Sequence, residues 1–179
     1  MSQPLSDLRS QDPAGLAGWL QARGAEKYRA EQVIEAVHRR RVRAISDLKQ
    51  IPVGLRDQIA ANFFIGAETV EARQESVDGS VKLLLRLADG EAVECVWIPD
   101  AGRATLCVST QVGCRMACRF CRTGAGGFTR NLTAGEIVGQ VAEAIAVCGP
   151  VNNIVVMGMG EPLDNLSALL PALRLLVHL

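Results

Sequence analysis

Apolar positions recur every three or four residues between 14 and 66, then every second residue from Val81, and this change of period divides the chain. In the first stretch Leu16, Trp19 and Leu20 share one helical face, and Val33, Ile34 and Val37 share another after Ala30. A third helical segment opens at Pro52, a residue favoured near a helix N-terminus, and carries Leu55, Ile59 and Phe63. Beyond Val81, the runs VKLLLRL and EAVECVWI flank Ala88-Asp89-Gly90, and Asp-Gly between β-rich runs predicts a tight hairpin. ATLCVS at 104–109 predicts another strand. Thr133-Ala134-Gly135-Glu136 has the form of a capping box, and Ile137, Val138, Val141 and Ile145 make the apolar face of the helix it opens. Ile154–Met157 predicts a short buried strand. A glycine-rich turn follows, then a helical stretch through Leu179 that Pro171 is expected to bend or delay.

Strand, loop, helix, repeated, is the rhythm of a parallel α/β sheet or barrel. The pattern predicts an α/β fold with a small helical accessory domain at 1–66, a β-hairpin connector at 67–99 and two β/α units at 100–179. Active sites in such folds lie at the C-terminal ends of the strands. Both unusual loops, GCRMACRFCRTG and Gly158-Met159-Gly160-Glu161-Pro162, follow strands there, which points to one composite site. Two parallel strands by themselves leave bare edges.

Composition narrows the class. At 179 residues and 49% apolar the chain can build a sizeable core and is no disordered polymer. MSQPLSDLRSQD is too polar for a signal peptide, and no apolar run approaches the ~20 residues of a membrane span. A cytoplasmic chain is expected, whose six cysteines read as metal ligands or redox groups. The zero formal charge hides a segregation, with net +3 over residues 1–66, −5 over 67–100 and +2 over 101–179. Five arginines (Arg103, Arg115, Arg119, Arg122 and Arg130) fall within 101–132 with no acid among them. Such a basic shell suits an anionic substrate or cofactor, although arginines on solvated loops are also ordinary. His38-Arg39-Arg40-Arg41-Val42-Arg43 likewise suits phosphates or simply answers a helix dipole.

Cys114, Cys118 and Cys121 form a C-x3-C-x2-C cluster. Three thiolates this close can wrap one face of an iron–sulfur cubane and leave one iron without a protein ligand. Zinc, with Cys107 or Cys95 as fourth ligand, and a disulfide knot are the rivals. Zinc sites favour paired C-x2-C hooks, and disulfide frameworks belong to secreted chains.

With Phe120 before the last cysteine, the cluster resembles the radical S-adenosylmethionine signature, and Gly158-Met159-Gly160-Glu161 resembles the glycine–glutamate motif that holds the methionine amino group in that superfamily. From about Ile98 to Asn165, RATLCVSTQVGCRMACRFCRTGAGGFTRNLTAGEIVGQV and NNIVVMGMGEPLDN are similar to the RlmN/Cfr family of radical S-adenosylmethionine RNA methyltransferases. The helical N-terminal region is similar to that family's small RNA-contacting domain.

The resemblance implies a partial radical S-adenosylmethionine (β/α) barrel carrying a 4Fe–4S cluster on Cys114, Cys118 and Cys121. It implies S-adenosylmethionine bound beside Phe120, Gly158, Gly160 and Glu161. The implied reaction forms 2-methyladenosine in 23S ribosomal RNA and transfer RNA, with electrons from an external donor such as flavodoxin. Family members methylate a protein cysteine, make a radical on that methyl group and add it to the base. A second cysteine then resolves the adduct by forming a disulfide while a glutamate removes the ring proton. Cys107 matches the resolving cysteine and Glu94 the base. Read without the resemblance, Cys107 is a small buried hydrophobe and Glu94 a solvated edge residue or a partly buried acid of raised pKa. Cys95 and Cys148 match no motif position and read as packing residues. The family's methyl-carrying cysteine lies near the C-terminus of chains about twice this length, so these 179 residues are not expected to methylate RNA alone. The alternatives are a cluster- or RNA-binding remnant without catalysis, a methyltransferase acting on carbon 8 of adenine, and a radical enzyme for a small molecule.

Overall fold

The computed structural model describes residues 5–66 and 68–177. Strand β1 (Ser6–Asp7) leads into helix α1 (Pro13–Gln21). Asp12 caps α1 by accepting the Gly15 N–H at 2.8 Å, and Pro13 stands where its missing N–H would be unpaired anyway. Helix α2 (Tyr28–Ile34) runs on into a π turn over Glu35–Arg39, and α3 (Val53–Ala60) follows Pro52. The expected faces meet: Leu16, Leu20, Val33, Val37 and Ile59 close on Leu8, Leu48 and Ile51 as one apolar cluster. Phe63 departs from the expected helix. It opens strand β2 (Phe63–Phe64), parallel to β1, where its ring meets Trp19 edge-on at 4.9 Å. Strand pairing and the aromatic contact together outweigh one more helical turn.

A five-stranded sheet follows, built from β3 (Thr69–Glu75), β4 (Val81–Arg86), β5 (Ala92–Asp100), β6 (Arg103–Cys107) and a later strand beside β6. After β6 come a short ribbon of β7 (Gln111–Gly113) with β8 (Phe128–Asn131), and between them the one-turn helix α4 (Arg122–Ala125). Helix α5 (Ala134–Cys148), strand β9 (Asn153–Val155) and helix α6 (Leu166–Val177) complete the order. β9 pairs parallel with β6, and the sheet order is β3-β4-β5-β6-β9. The capping box of α5 is present, with Glu136 N–H donating to Thr133 Oγ1 at 3.2 Å and Thr133 N–H to Glu136 Oε2 at 2.8 Å.

Alternation decides which side of the sheet is covered. Leu83, Leu85, Val93, Cys95 and Leu106 point to one face and pack with Ile137, Val138 and Ala144 of α5 and Ala172 and Leu175 of α6. Each fully buried leucine there contributes ~1.5–3 kcal/mol. Leu84, Glu94, Val96 and Cys107 fall on the other face, which stays partly open to solvent.

The structure adds detail to the sequence reading in three places. The hairpin at 81–98 exists, but its strands extend the parallel pair through β5 rather than standing apart from it. β6 has β5 along one edge and, over Thr105–Cys107, β9 along the other. The β5–β6 link is itself a tight turn, with Ala101 and Gly102 at φ of 43° and 84°. β3 went unpredicted because it is an edge strand exposed on both sides, so it shows no alternation. Pro171 does not delay α6, which starts at Leu166 and continues through it. Leu169, Ala172 and Leu175 anchor the helix in the core across the one lost hydrogen bond. The expected end at Leu179 lies outside the described residues.

Arg9 ties the N-terminal cluster to the sheet. It is 5% exposed, and its two terminal nitrogens donate to both carboxylate oxygens of Glu68, one at 2.9 Å, while Asp7 accepts at 3.1 Å. Arg43 reaches Glu143 of α5 at 2.7 Å. Among the described residues no helix is long and apolar enough to cross a membrane.

Candidate active site at the strand ends

The two unusual loops leave the C-terminal ends of neighbouring parallel strands. Cys107 of β6 is in register with Val155 of β9. The ladder continues beyond the strands: Val108 N–H donates to Val155 O at 2.9 Å, Gly158 N–H to Val108 O at 3.0 Å, and Thr110 N–H to Met159 O at 2.8 Å. So close an approach needs glycine. A Cβ on Gly158 would stand 2.7 Å from Ser109 Oγ and Val108 O. One on Gly160, at φ +102°, would stand 2.6 Å from Gln111 Cβ.

The cysteine loop is pinched at its base by the β7–β8 ribbon. Cys114 N–H donates to Gly127 O at 2.8 Å, and Arg115 lies 4.1 Å over the Phe128 ring. Gly124 packs on the backbone of Ala117 and Cys118. Cys121 stands at the N-cap position of α4, where the nearby backbone N–H groups of Gly124 and then Thr123 hold its pKa below the ordinary thiol value. Cys114 and Cys121 are half-buried, Cys118 is exposed, and all three are free thiols. The donor set is therefore soft and purely thiolate, as an iron–sulfur cluster requires. Among the described residues no three His, Cys, Asp or Glu side chains converge on a point that could hold one metal ion. Phe120 stands in the same loop, 94% exposed.

Glu161 ends the glycine turn. Its Oε1 accepts the Leu163 N–H at 3.1 Å, and its own N–H donates to Gln111 Oε1 at 3.0 Å. Cys107 lies on the open face, its thiol pushed up by burial and drawn back in part by the Met157 N–H. Glu94 shares that face and is partly buried. Its carboxylate is 43% exposed and pairs with Lys82 Nζ at 3.0 Å, because no described helix covers this side of β5. Cys95 faces the core, where burial pushes its thiol up to about 12, and Cys148 packs at the core margin.

The expected basic shell is thinner than five arginines. Arg130 is taken up by Asp89 at 2.6 Å and Glu136 at 2.8 Å, and Arg115 sits 3.7 Å from Asp164. Arg103 is at the far end of β6. Arg119 and Arg122 alone remain on the loop without an ion pair among the described residues.

Buried polar residues that sequence reasoning passed over hold the two loops together. Ser109 Oγ donates to Glu94 O at 2.6 Å and accepts the Met159 N–H at 2.8 Å, while Gln140 brackets the Ser109 backbone at 2.8 and 2.9 Å. Asn165 donates to Thr110 O and Leu132 O at 2.8 and 2.9 Å. The available signal was a polar Ser109-Thr110-Gln111 run continuing an apolar strand straight into the cysteine loop.

Over nearly all of its length the chain is similar to about half of a radical SAM methyltransferase. A solved radical SAM methyltransferase from Sphaerobacter thermophilus superposes with a TM-score of 0.83 at 36% identity, covering 97% of this chain and 52% of that one. No protein-family model matches the chain. The probable dual-specificity RNA methyltransferase RlmN of Gemmatimonas aurantiaca is 46% identical over 178 residues, 96% of this chain and 49% of that protein. The dual-specificity RNA methyltransferase RlmN of Syntrophotalea carbinolica is 49% identical over 174 residues, 95% of this chain and 46% of that protein. The chain is RlmN-like over nearly all of its own length, and it spans about half the length of the curated relatives it matches.

Proposed function

We propose that this chain supplies the cluster- and cofactor-binding part of a cytoplasmic radical S-adenosylmethionine methyltransferase that forms 2-methyladenosine in 23S ribosomal RNA and transfer RNA. The observation that carries this reading is the lacing of the cysteine loop to the glycine turn across the ends of β6 and β9. In this reading Cys114, Cys118 and Cys121 hold a 4Fe–4S cluster reduced by an external donor such as flavodoxin. Phe120, Gly158, Gly160 and Glu161 border S-adenosylmethionine. Once bound, this pair supplies one-electron cleavage of a sulfonium bond, which the reaction needs because carbon 2 of adenine is too electron-poor to displace a methyl group directly.

The chain's own residues have separable tasks. Cys121 gives up its proton readily because backbone N–H groups favour its thiolate. Glu161 keeps one carboxylate oxygen on Leu163 N–H and offers the other to an ammonium. Glu94 and Cys107 face the same open side of the sheet, where the carboxylate would serve as the base for the ring proton and Cys107 as the resolving thiol. The thiol is raised by burial, so Cys107 must lose its proton to a base before its sulfur can attack. The helical unit at 1–66 contacts RNA, and 67–99 joins it to the barrel part at 100–179.

The test joins this chain to the remainder of an RlmN relative and looks for 2-methyladenosine in unmodified ribosomal and transfer RNA by mass spectrometry. Product is expected from the chimera and not from residues 1–179 alone, whose Glu94 and Cys107 stand on an open face. A chimera with a full cluster but no product contradicts the reading, and so does multiple turnover by the 179 residues alone.

A further inference from the structure

Gln111 is fully buried, and its side chain makes three hydrogen bonds to two separate segments, β8 and the glycine turn. Its Nε2 donates to Asn131 Oδ1 at 2.8 Å and to Asp164 Oδ2 at 2.9 Å, and its Oε1 accepts the Glu161 N–H at 3.0 Å. The orientation is forced, since a flipped amide would set its oxygen against the Asp164 carboxylate and its NH2 against a backbone donor. The turn backbone lies directly on this side chain, with the position of a Gly160 Cβ 2.6 Å from Gln111 Cβ.

Two acids stand at this turn, Glu161 and Asp164. Asp164 already receives Gln111 Nε2 and lies 3.7 Å from Arg115, whereas among the described residues the Glu161 side chain holds only Leu163 N–H. We propose that Gln111 is a positioning residue: by occupying Asp164 and anchoring the Glu161 backbone, it selects Glu161 as the acid that receives the ligand's ammonium group. The inference rests on the assignment of Glu161 made above.

The test uses the full chain after anaerobic cluster reconstitution. Equilibrium dialysis measures its affinity for S-adenosylmethionine and for the analogue lacking the α-amino group. Wild type is expected to prefer the amino-bearing ligand and Glu161→Gln to lose that preference. Gln111→Met should weaken binding of S-adenosylmethionine about tenfold, the worth of one charge-assisted hydrogen bond, and leave the analogue within about twofold. Adding Gln111→Met to Glu161→Gln should cause no further loss of preference. The exchange Gln111→Glu/Asp164→Asn keeps an acceptor for the Glu161 N–H and a donor–acceptor pair between 111 and 164, so it should restore the preference. Equal losses for both ligands in Gln111→Met, or no recovery in a folded exchange variant, overturn the positioning role and leave Glu161 standing. An unchanged preference in Glu161→Gln overturns the Glu161 assignment itself, and a wild-type chain that binds neither ligand overturns both.

Discussion

Gly160→Ala measures how tightly the glycine turn is pressed on the strand end. Two costs add. At φ +102° an L residue is strained by roughly 1–2 kcal/mol. The new methyl would also stand 2.6 Å from Gln111 Cβ and 2.8 Å from Gln111 Cγ and N, atoms of a buried residue on β7 that is paired to β8 and cannot retreat. Overpacking of this kind costs about 1–3 kcal/mol, for a total of about 2–5 kcal/mol. That is a large share of the 5–15 kcal/mol that holds a typical domain together. Gly90→Ala is the control, because Gly90 sits at φ +88° with nothing within 4 Å of its Cβ position, and so registers the backbone cost alone. Urea unfolding of both variants isolates the contact as their difference, about 1–3 kcal/mol. If Gly160→Ala proves no less stable than Gly90→Ala, the turn does not lie against Gln111 and the composite site is wrong.

Three further outcomes follow from buried and titrating groups. Glu68→Gln should cost about 3–5 kcal/mol in denaturant unfolding, since it leaves the Arg9 guanidinium buried with only Asp7, and a loss under 1 kcal/mol would contradict the ion pair. His38 is pushed down to about 4 by burial and by Arg9, so the unfolded state binds its proton first and stability should fall by up to about 3 kcal/mol as pH drops from 6.5 to 4. His38→Gln should flatten that slope, and an unchanged slope would refute the assignment. In the metal-free chain at pH 8, iodoacetamide should label Cys121 long before Cys95, whose thiol is pushed up to about 12; peptide mass spectrometry showing the reverse order would contradict both environments.

The sequence made the site legible wherever chemistry dictates residue type at fixed spacing. Cys114, Cys118 and Cys121, and Gly158 to Glu161, could be read directly, because backbone approach and thiolate ligation allow few substitutes. Helices with a clear apolar stripe, such as α5 behind its capping box, were equally readable. What stayed hidden depends on partners distant in the chain. Gln111 bonds to residues 20 and 53 positions away, so its role exists only once the loops meet. β3 carries no alternation because both its faces are exposed. How far Glu94 is buried, left open between a partly buried and a solvated position, depends on what covers the open face of the sheet, a property that strand periodicity does not contain.

The most direct test of the central claim is iron and acid-labile sulfide analysis after anaerobic reconstitution, run on the wild-type chain and on Cys114→Ala/Cys118→Ala/Cys121→Ala. The account predicts the iron and sulfide of one oxygen-sensitive 4Fe–4S cluster per wild-type chain, with the matching visible absorption, and neither in the triple variant. Undiminished iron and sulfide in the triple variant, or stoichiometric zinc in place of iron in the wild type, would contradict it.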